Sequence, residues 1–464
     1  MPFTLWSFSK SVFAFAYFFT GSLVLTIAGI ILTRLWPFGR NKAKYIYHAM
    51  VSKYTWSMMY IMANVTKRIY NIPGDDFKKP AVYIANHASF LDILLTTMLN
   101  PHLVLLTNRW VWRSPVFGAV VRMAEYYPVA DGAEQSLEPL RDLVSRGYSV
   151  VIFPEGTRSY TDEIHRFHKG AFYIAEQLKL DIIPIVLHGV HYTMQKGDWL
   201  LKDGTTSIYI HPRITPDDKT YGNTYSERAK LVGRWMRNEF QAIKEKNETP
   251  VYFKEQIIRS NTYKGPTLEW YCRIKIKLEK YYEPFHMLLP RSGRFYDLGC
   301  GYGYMTYMLH WASEGRVFTG VDYDEEKIET AQHNYLRGEH INFEHADVTK
   351  YQLEACDGII ISDVLHYLLP EQQEQLLEKC IAAMRPGGTL ILRDGVSELK
   401  DRHKGTKMTE VFSTKIFKFN KTENELHFIS RAFIEAFAQR HGLHVEILDF
   451  TRFTSNLTFV IKKN

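Results

Sequence analysis

His87 and Asp92 are separated by four residues where a short β-type run, residues 81–85, gives way to a helical one, residues 93–99. In that geometry the aspartate can fix the imidazole tautomer while the other ring nitrogen faces a substrate hydroxyl. The same spacing also suits a helix cap. Ser89, between the two, admits a Ser-His-Asp reading as well as a capping one. A second cluster, Phe153-Pro154-Glu155-Gly156-Thr157-Arg158-Ser159, breaks off the end of a buried strand. Gly156 lets backbone approach a ligand closely, and the Arg158 fork suits a phosphate. A Glu155–Arg158 pair around a turn glycine is the plain alternative. Lys169, in Phe167-His168-Lys169-Gly170, could hold a phosphate or simply lie in solvent.

A different chemistry is written further on. Gly299-Cys300-Gly301-Tyr302-Gly303 follows the strand-like run 294–298 and opens a helix. Asp322 ends the next strand 19 residues after Gly303, close to the spacing of about 20 in nucleoside-binding α/β units. Asp347 and Asp363 follow the third and fourth strands, and Pro386-Gly387-Gly388 precedes the fifth. His366 and Tyr367 come directly after the fourth. A histidine there could take a proton from an acceptor, or pack locally at a helix start. A lone glycine loop also fits a nicotinamide enzyme, but Gly-x-Gly-x-Gly is not the dinucleotide fingerprint.

The first set of motifs, with Ile183-Pro184-Ile185 downstream and in the same order, resembles the glycerolipid acyltransferase family, whose best-known members acylate lysophosphatidic acid. The likeness covers residues 45–245. It implies that His87 is the general base oriented by Asp92. It also implies that Glu155, Gly156, Thr157 and Arg158 bind the acceptor and order the site, and that no acyl-serine forms. The implied donor is acyl-coenzyme A or acyl-carrier protein. One departure bears on the acceptor. Where the family usually has a glycine-rich strand ending in an Arg, the chain reads Ala124-Glu125-Tyr126-Tyr127-Pro128-Val129-Ala130-Asp131.

The second set resembles the class I S-adenosylmethionine-dependent methyltransferases over residues 285–464. By that resemblance Asp297, Gly299, Gly301 and Gly303 border the methionine part of the cofactor. Asp322 holds the ribose, Asp347 the adenine, and Asp363 lies near the methyl site, with His366 and Tyr367 at a possible acceptor site. A cofactor-binding scaffold without turnover is the rival reading.

The elements that must position these groups follow from the pattern. Residues 81–85, 103–106, 149–153, 182–186 and 207–211 read as strands, and residues 225–246 as a charged helix. Residues 247–285 read as a helical connector. From Gly293 a second α/β alternation runs to a closing helix, residues 427–441, and strands at 444–449 and 456–462. The expected architecture is α/β throughout: an anchor over residues 1–70, an acyltransferase domain over 71–246, the connector, and a Rossmann-like methyltransferase domain over 286–464 with a mostly parallel sheet.

Among 464 residues the net charge is +7, and residues 1–74 carry eight Lys or Arg and no Asp or Glu, leaving the remainder at −1. The excess sits beside a run free of charge from residue 11 to residue 33. At about 1.5 Å per residue that run can cross a bilayer core of about 30 Å. It is too long for a cleaved signal peptide. Basic residues after it put its C-terminal side, and both catalytic domains, on the cytoplasmic side of the membrane at the inner leaflet. A helix pair lying in one leaflet is the alternative, with residues 44–70 read as a second, interfacial helix. The distribution points to lipid and not to nucleic acid. The four cysteines, Cys272, Cys300, Cys356 and Cys380, lack metal spacing, read as free thiols, and no metal is expected. Two activities on one chain suggest one lipid pathway.

Overall fold

All five residues of Ala81–Ala85 are buried. So are all eight of Asp181–His188. Strands this uniformly apolar belong in a sheet covered on both faces. In this computed structural model they lie at the centre of one. The structure describes residues 5–35, 39–114, 117–128, 137–260, 264–335, 337–399, 426–450 and 454–463. It divides into two compact units, with the boundary between Lys244 and Glu245. The expected α/β alternation is present in each.

The first unit has β1 (Val65–Asn71), β2 (Ala81–Ala85), β3 (Leu103–Leu105), β4 (Ser149–Ile152), β5 (Asp181–His188) and β6 (Gly204–Ile210), in the spatial order β1-β6-β5-β2-β4-β3. Only the β5–β6 pairing is antiparallel. Its principal helices are α1 (Leu5–Leu35), α2 (Arg40–Ile61), α3 (Leu91–Thr97), α4 (Gly170–Leu178) and α5 (Tyr225–Asn247). The second helix is shorter than the sequence suggested. It stops at Ile61, the chain reverses through Val65 N–H donating to the Met62 carbonyl, and β1 pairs along β6. Val65, Thr66 and Ile69 favour extended backbone. Only Val65 of β1 is buried, because the strand lies at the sheet edge.

Helix α1 buries Ser11, Ala14, Ser22, Leu25 and Gly29, a stripe at three- and four-residue spacing. That stripe is docked along its length. Ser11 Oγ accepts the Leu201 N–H at 2.9 Å, the Phe18 ring lies 5.2 Å from that of Phe90, and Gly29 faces Tyr47 and Met123. From α2, Tyr54 donates its hydroxyl to the Phe18 carbonyl at 2.7 Å. The opposite face, including Val12, Phe13, Phe19, Leu23, Val24, Ile27, Ile30 and Ile31, is exposed and uncharged.

Helix α2 is tied down by charge. Glu125 accepts from Lys44 at 2.5 Å and from both Arg146 terminal nitrogens at 2.9 and 3.0 Å, with His48 3.7 Å away. It stands in the stretch where an Arg was missed; Val129, Ala130 and Asp131 of that stretch lie outside the described residues. Burial opposes its charge, but hydrogen bonds from His48, Arg146 and Lys44 hold the Glu125 carboxyl well below the usual range. With the folded pKa below the unfolded one, the stabilisation is present above the ordinary carboxylate range and lost as pH falls toward the folded value. Glu125→Ala strands two cations, and urea unfolding at pH 7 should show a loss of about 2–3 kcal/mol.

The second unit has β7 (Gly293–Leu298), β8 (Arg316–Asp322), β9 (Ile341–His345), β10 (Cys356–Ser362), β11 (Met384–Gly395), β12 (His444–Leu448) and β13 (Asn456–Lys462). Their order is β12-β13-β11-β10-β7-β8-β9, with β13 antiparallel to both neighbours and every other pairing parallel. Helices α6 (Lys254–Ser260), α7 (Pro266–Leu278) and α8 (Tyr282–Leu288) precede this sheet. Helices α9 (Tyr304–Trp311), α10 (Glu325–Gln332), α11 (Pro370–Ala383) and α12 (Arg431–Arg440) connect its strands. Progress along the sheet reverses between β7 and β10, and the crevice beyond the carboxyl ends of such strands is where α/β folds bind ligands.

Candidate active sites

Asn86 ends β2 by locking the turn onto β5. Its amide donates to the Leu187 carbonyl at 2.9 Å and accepts the Leu187 N–H at 2.7 Å. The next residue is His87, and one turn later α3 begins. His87 Nδ1 lies 2.9 Å from Asp92 Oδ2. That oxygen also accepts the Ala88 and Ser89 N–H groups, both at 2.7 Å. Asp92 is fully buried and its orientation is set by backbone, so Nδ1 is the donor and Nε2 the basic nitrogen. Ser89 is fully buried and turned to other partners. Its hydroxyl donates to the Met194 carbonyl at 2.5 Å and accepts the Leu91 N–H at 3.2 Å. The Ser-His-Asp arrangement is therefore not formed.

The Glu155 carboxylate does not pair with Arg158. One oxygen accepts the His87 N–H at 2.7 Å and the other the His165 N–H at 2.8 Å. Burial raises its pKa, against the lowering by those two bonds. Glu155 thus ties the two motifs together and holds the His87 backbone. The Phe153 ring stacks on the His87 imidazole, 4.2 Å between centroids. Gly156 adopts φ +71 with His168 in front of it, which favours glycine there. Arg158 is half-buried with no side-chain partner among the described residues. Lys196, which no motif marks, donates to the Arg158 carbonyl at 2.9 Å and lies 3.4 Å from Thr157 Oγ1. Lys169 is exposed ahead of α4, its Nζ 5.9 Å from the Tyr225 ring centroid, and no contact among the described residues joins it to His87. Behind Phe90 and Leu91 is a small apolar cavity of about 20 Å³, walled by α1 (Ala14, Phe18), α2 (Met58) and Met194.

In the second unit all three loop glycines adopt positive φ. A Cβ on Gly299 would collide with Val364, and one on Gly303 with Phe343; nothing stands within 4 Å of one on Gly301. Packing demands the outer two, and the middle one leaves open space against the backbone, as a bound group requires. Asp322 holds that loop. One oxygen accepts the Gly301 N–H at 2.8 Å and the other the Asp324 N–H at 2.9 Å. Asp297 accepts the Thr306 hydroxyl at 2.6 Å, and burial raises its pKa to about 6. Asp347 is exposed and accepts the Thr349 N–H and hydroxyl at 2.9 and 2.7 Å. Asp363, at φ +58, is paired with Arg393 and Asn456. These residues fit a nucleoside that carries a cationic sulfur: an open glycine loop faces the crevice, and carboxylates end its strands.

His366 is buried, its ring 4.1 Å from that of Tyr367. Its Nδ1 lies 2.5 Å from Asp394 Oδ1, while Asp394 Oδ2 accepts the Val364 and Leu365 N–H groups at 3.1 and 2.7 Å. The chain therefore builds the same device twice: a buried aspartate fixed by backbone N–H groups that holds the Nδ1 of a histidine. Asp394 was not foreseen, because it lies 28 residues from His366 with no spacing signal.

Known proteins resemble each half. The family model described as Acyltransferase matches residues 61–188, and one described as Methyltransferase domain matches residues 295–388. A 1-acyl-sn-glycerol-3-phosphate acyltransferase of Cocos nucifera is 31% identical over 45% of this chain and 68% of its own length. Several further relatives of that printed name are spanned over about half of their length. Among solved structures, the 1-acyl-sn-glycerophosphate acyltransferase PlsC of Thermotoga maritima covers 51% of this chain and 98% of itself, at 19% identity and a TM-score of 0.44. The S-adenosylmethionine-dependent methyltransferase SibL covers 42% of this chain and 57% of itself, at 17% identity and a TM-score of 0.34. The chain belongs to the 1-acylglycerol-3-phosphate-type glycerolipid acyltransferase family, and behind its acyltransferase domain it carries a stretch that matches a methyltransferase domain.

Proposed function

We propose that the first unit O-acylates a lipid alcohol from an acyl-thioester, carried by coenzyme A or by an acyl-carrier protein. The observation that carries this is the His87–Asp92 hydrogen bond, with the apolar pocket directly behind Phe90 and Leu91. His87 Nε2 takes the acceptor hydroxyl proton. The oxygen attacks the thioester carbonyl, the carbon–sulfur bond breaks, and the thiol leaves with the proton from His87. Thr157, Arg158 and Lys196 offer donors to a phosphate. Glu125 stands in the stretch where an Arg is usual, and it is consumed by Lys44 and Arg146. The acceptor is thus a lysophospholipid-like or other lipid alcohol.

The second unit methylates a small or lipid-linked acceptor of the same pathway. S-adenosylmethionine supplies the methyl group as an electrophile. The chain's part is to lay it on the open Gly301 backbone, hold it through Asp297, Asp322 and Asp347, and orient the acceptor near Asp363 and Tyr367. His366, fixed by Asp394, takes a proton from the acceptor.

The 25 residues Phe8–Leu32 form a helix long and apolar enough to cross a membrane by length and composition. Its lengthwise docking on the unit favours a helix pair in one leaflet, because a helix crossing alone would draw Phe90 and Leu201 into the bilayer with it. The reading puts that leaflet at the cytoplasmic face, with both catalytic domains on that side.

One experiment tests the pair of activities. The detergent-solubilised chain is given labelled acyl-coenzyme A or acyl-carrier protein with lysophosphatidic acid or monoacylglycerol, and separately labelled S-adenosylmethionine with a lipid extract. Acyl label in one acceptor and methyl label in one lipid are expected. Cofactor binding with no methyl uptake from any extract would leave only a scaffold.

A further inference from the structure

Helix α7 lies in the stretch that the sequence presents as a mere connector, yet it reaches the glycine loop. The Tyr271 ring is 6.1 Å from that of Tyr302, which sits between Gly301 and Gly303. One turn further on, the half-buried Lys275 has its ammonium 3.8 Å from Glu279 and 5.9 Å from the Tyr271 ring centroid. Just past the helix, Tyr281 is buried and carries the Arg393 guanidinium on its face at 4.1 Å. Arg393 is in turn the partner of Asp363. The stretch from Tyr271 to Tyr281 therefore touches the crevice at both ends, at the glycine loop and at the end of β10, with Lys275 between.

Carboxylates and cations both border the crevice, and Arg393 is already spent on Asp363. Asp297, Asp322 and Asp363 end the strands that border the crevice. Lys275 is a cation on α7 within their reach: burial lowers its pKa, but Glu279 first, and after it Tyr271, Tyr281 and Asp363, raise it, and Lys275 in turn lowers the pKa of Asp297 against the effect of burial. The other nearby lysine, Lys327, is on α10 beside Asp322 and Asp324. A sulfonium nucleoside suits the carboxylates, but the same ligand carries a carboxylate of its own on its amino-acid arm. Among carboxylates that group needs a cation.

We propose that Lys275 binds the α-carboxylate of the cofactor's methionine arm, with Tyr271 packing α7 onto the glycine loop, so that residues 271–281 belong to the cofactor site. This rests on the S-adenosylmethionine reading of the second unit.

Calorimetric titration of the full-length chain in detergent separates the possibilities, using S-adenosylhomocysteine and 5′-methylthioadenosine, which keeps the nucleoside and sulfur but lacks the carboxylate. Lys275→Ala should weaken S-adenosylhomocysteine binding about 10- to 100-fold, the range for loss of a charged hydrogen bond. It should leave 5′-methylthioadenosine within about twofold, and Lys275→Arg should recover part of the loss. If Lys275→Ala weakens both ligands equally, the lysine merely props α7 and the assignment falls. It falls also if neither ligand is affected while wild type binds both. A wild-type chain that binds neither ligand ends the methyl-transfer reading itself, and this assignment with it.

Discussion

Replacing His87 with alanine should lower acyl transfer about a thousandfold while leaving S-adenosylhomocysteine binding unchanged. The size follows from how completely the imidazole is prepared. Its Nδ1 is spent on Asp92, its ring is stacked on Phe153, and its own N–H is held by Glu155. Alanine removes the base and leaves that scaffold with nothing to orient. Asp92→Asn is the companion. Asp92 Oδ1 has no hydrogen-bond partner among the described residues, so the amide nitrogen can stand there while the carbonyl oxygen keeps the bonds made by Oδ2. The geometry survives and the charge does not. The rate should fall about a hundredfold, and stability by about 1–3 kcal/mol for the buried donor left unpaired. A His87→Ala chain that keeps a tenth of the wild-type rate would show that the hydroxyl proton goes elsewhere.

The second large effect is expected at Asp322. Its two oxygens accept the Gly301 and Asp324 N–H groups, so Asp322→Ala strips the loop of its anchor as well as removing the carboxylate from the nucleoside. Loss of two such bonds corresponds to about 3 kcal/mol, or about a hundredfold weaker S-adenosylhomocysteine binding by titration. Acyl transfer by the same preparation should be unchanged, which controls for folding. Asp322→Asn, which keeps one acceptor, should lose about tenfold. Wild-type affinity in the alanine variant would remove Asp322 from the cofactor site.

What could be read from sequence follows from how local each interaction is. His87 and Asp92 are five positions apart and meet across one turn, so spacing alone exposes them. The glycine loop and Asp322 are similarly legible, because strand, turn and helix follow one another in order. Asp394, which holds His366, is on another strand, and only the β10–β11 pairing brings it there. Lys196 comes from a loop without a motif and meets Thr157 and Arg158 only in three dimensions. Strand β1 was hidden for another reason. It follows directly on a helix rich in Tyr and Met, and its outward residues Lys67, Arg68 and Tyr70 carry no core pattern. Tyr271 and Lys275 were passed over because a charged helix with few apolar positions reads as a spacer until the loop beneath it is seen.

Helix α1 faces two ways at once. Its outer side is mostly hydrocarbon, while its inner side, through Ala14 and Phe18, walls the cavity behind Leu91. Trimming the chain before residue 36 to obtain a freely dissolved enzyme would therefore defeat itself. It would open that cavity to water and uncover Phe90, Met58 and Leu201, trading a greasy rod for a greasy trough. Solubility and turnover cannot be engineered apart in this half by shortening it; only polar substitutions confined to the outward side, such as at Leu23 and Ile27, leave the cavity wall standing.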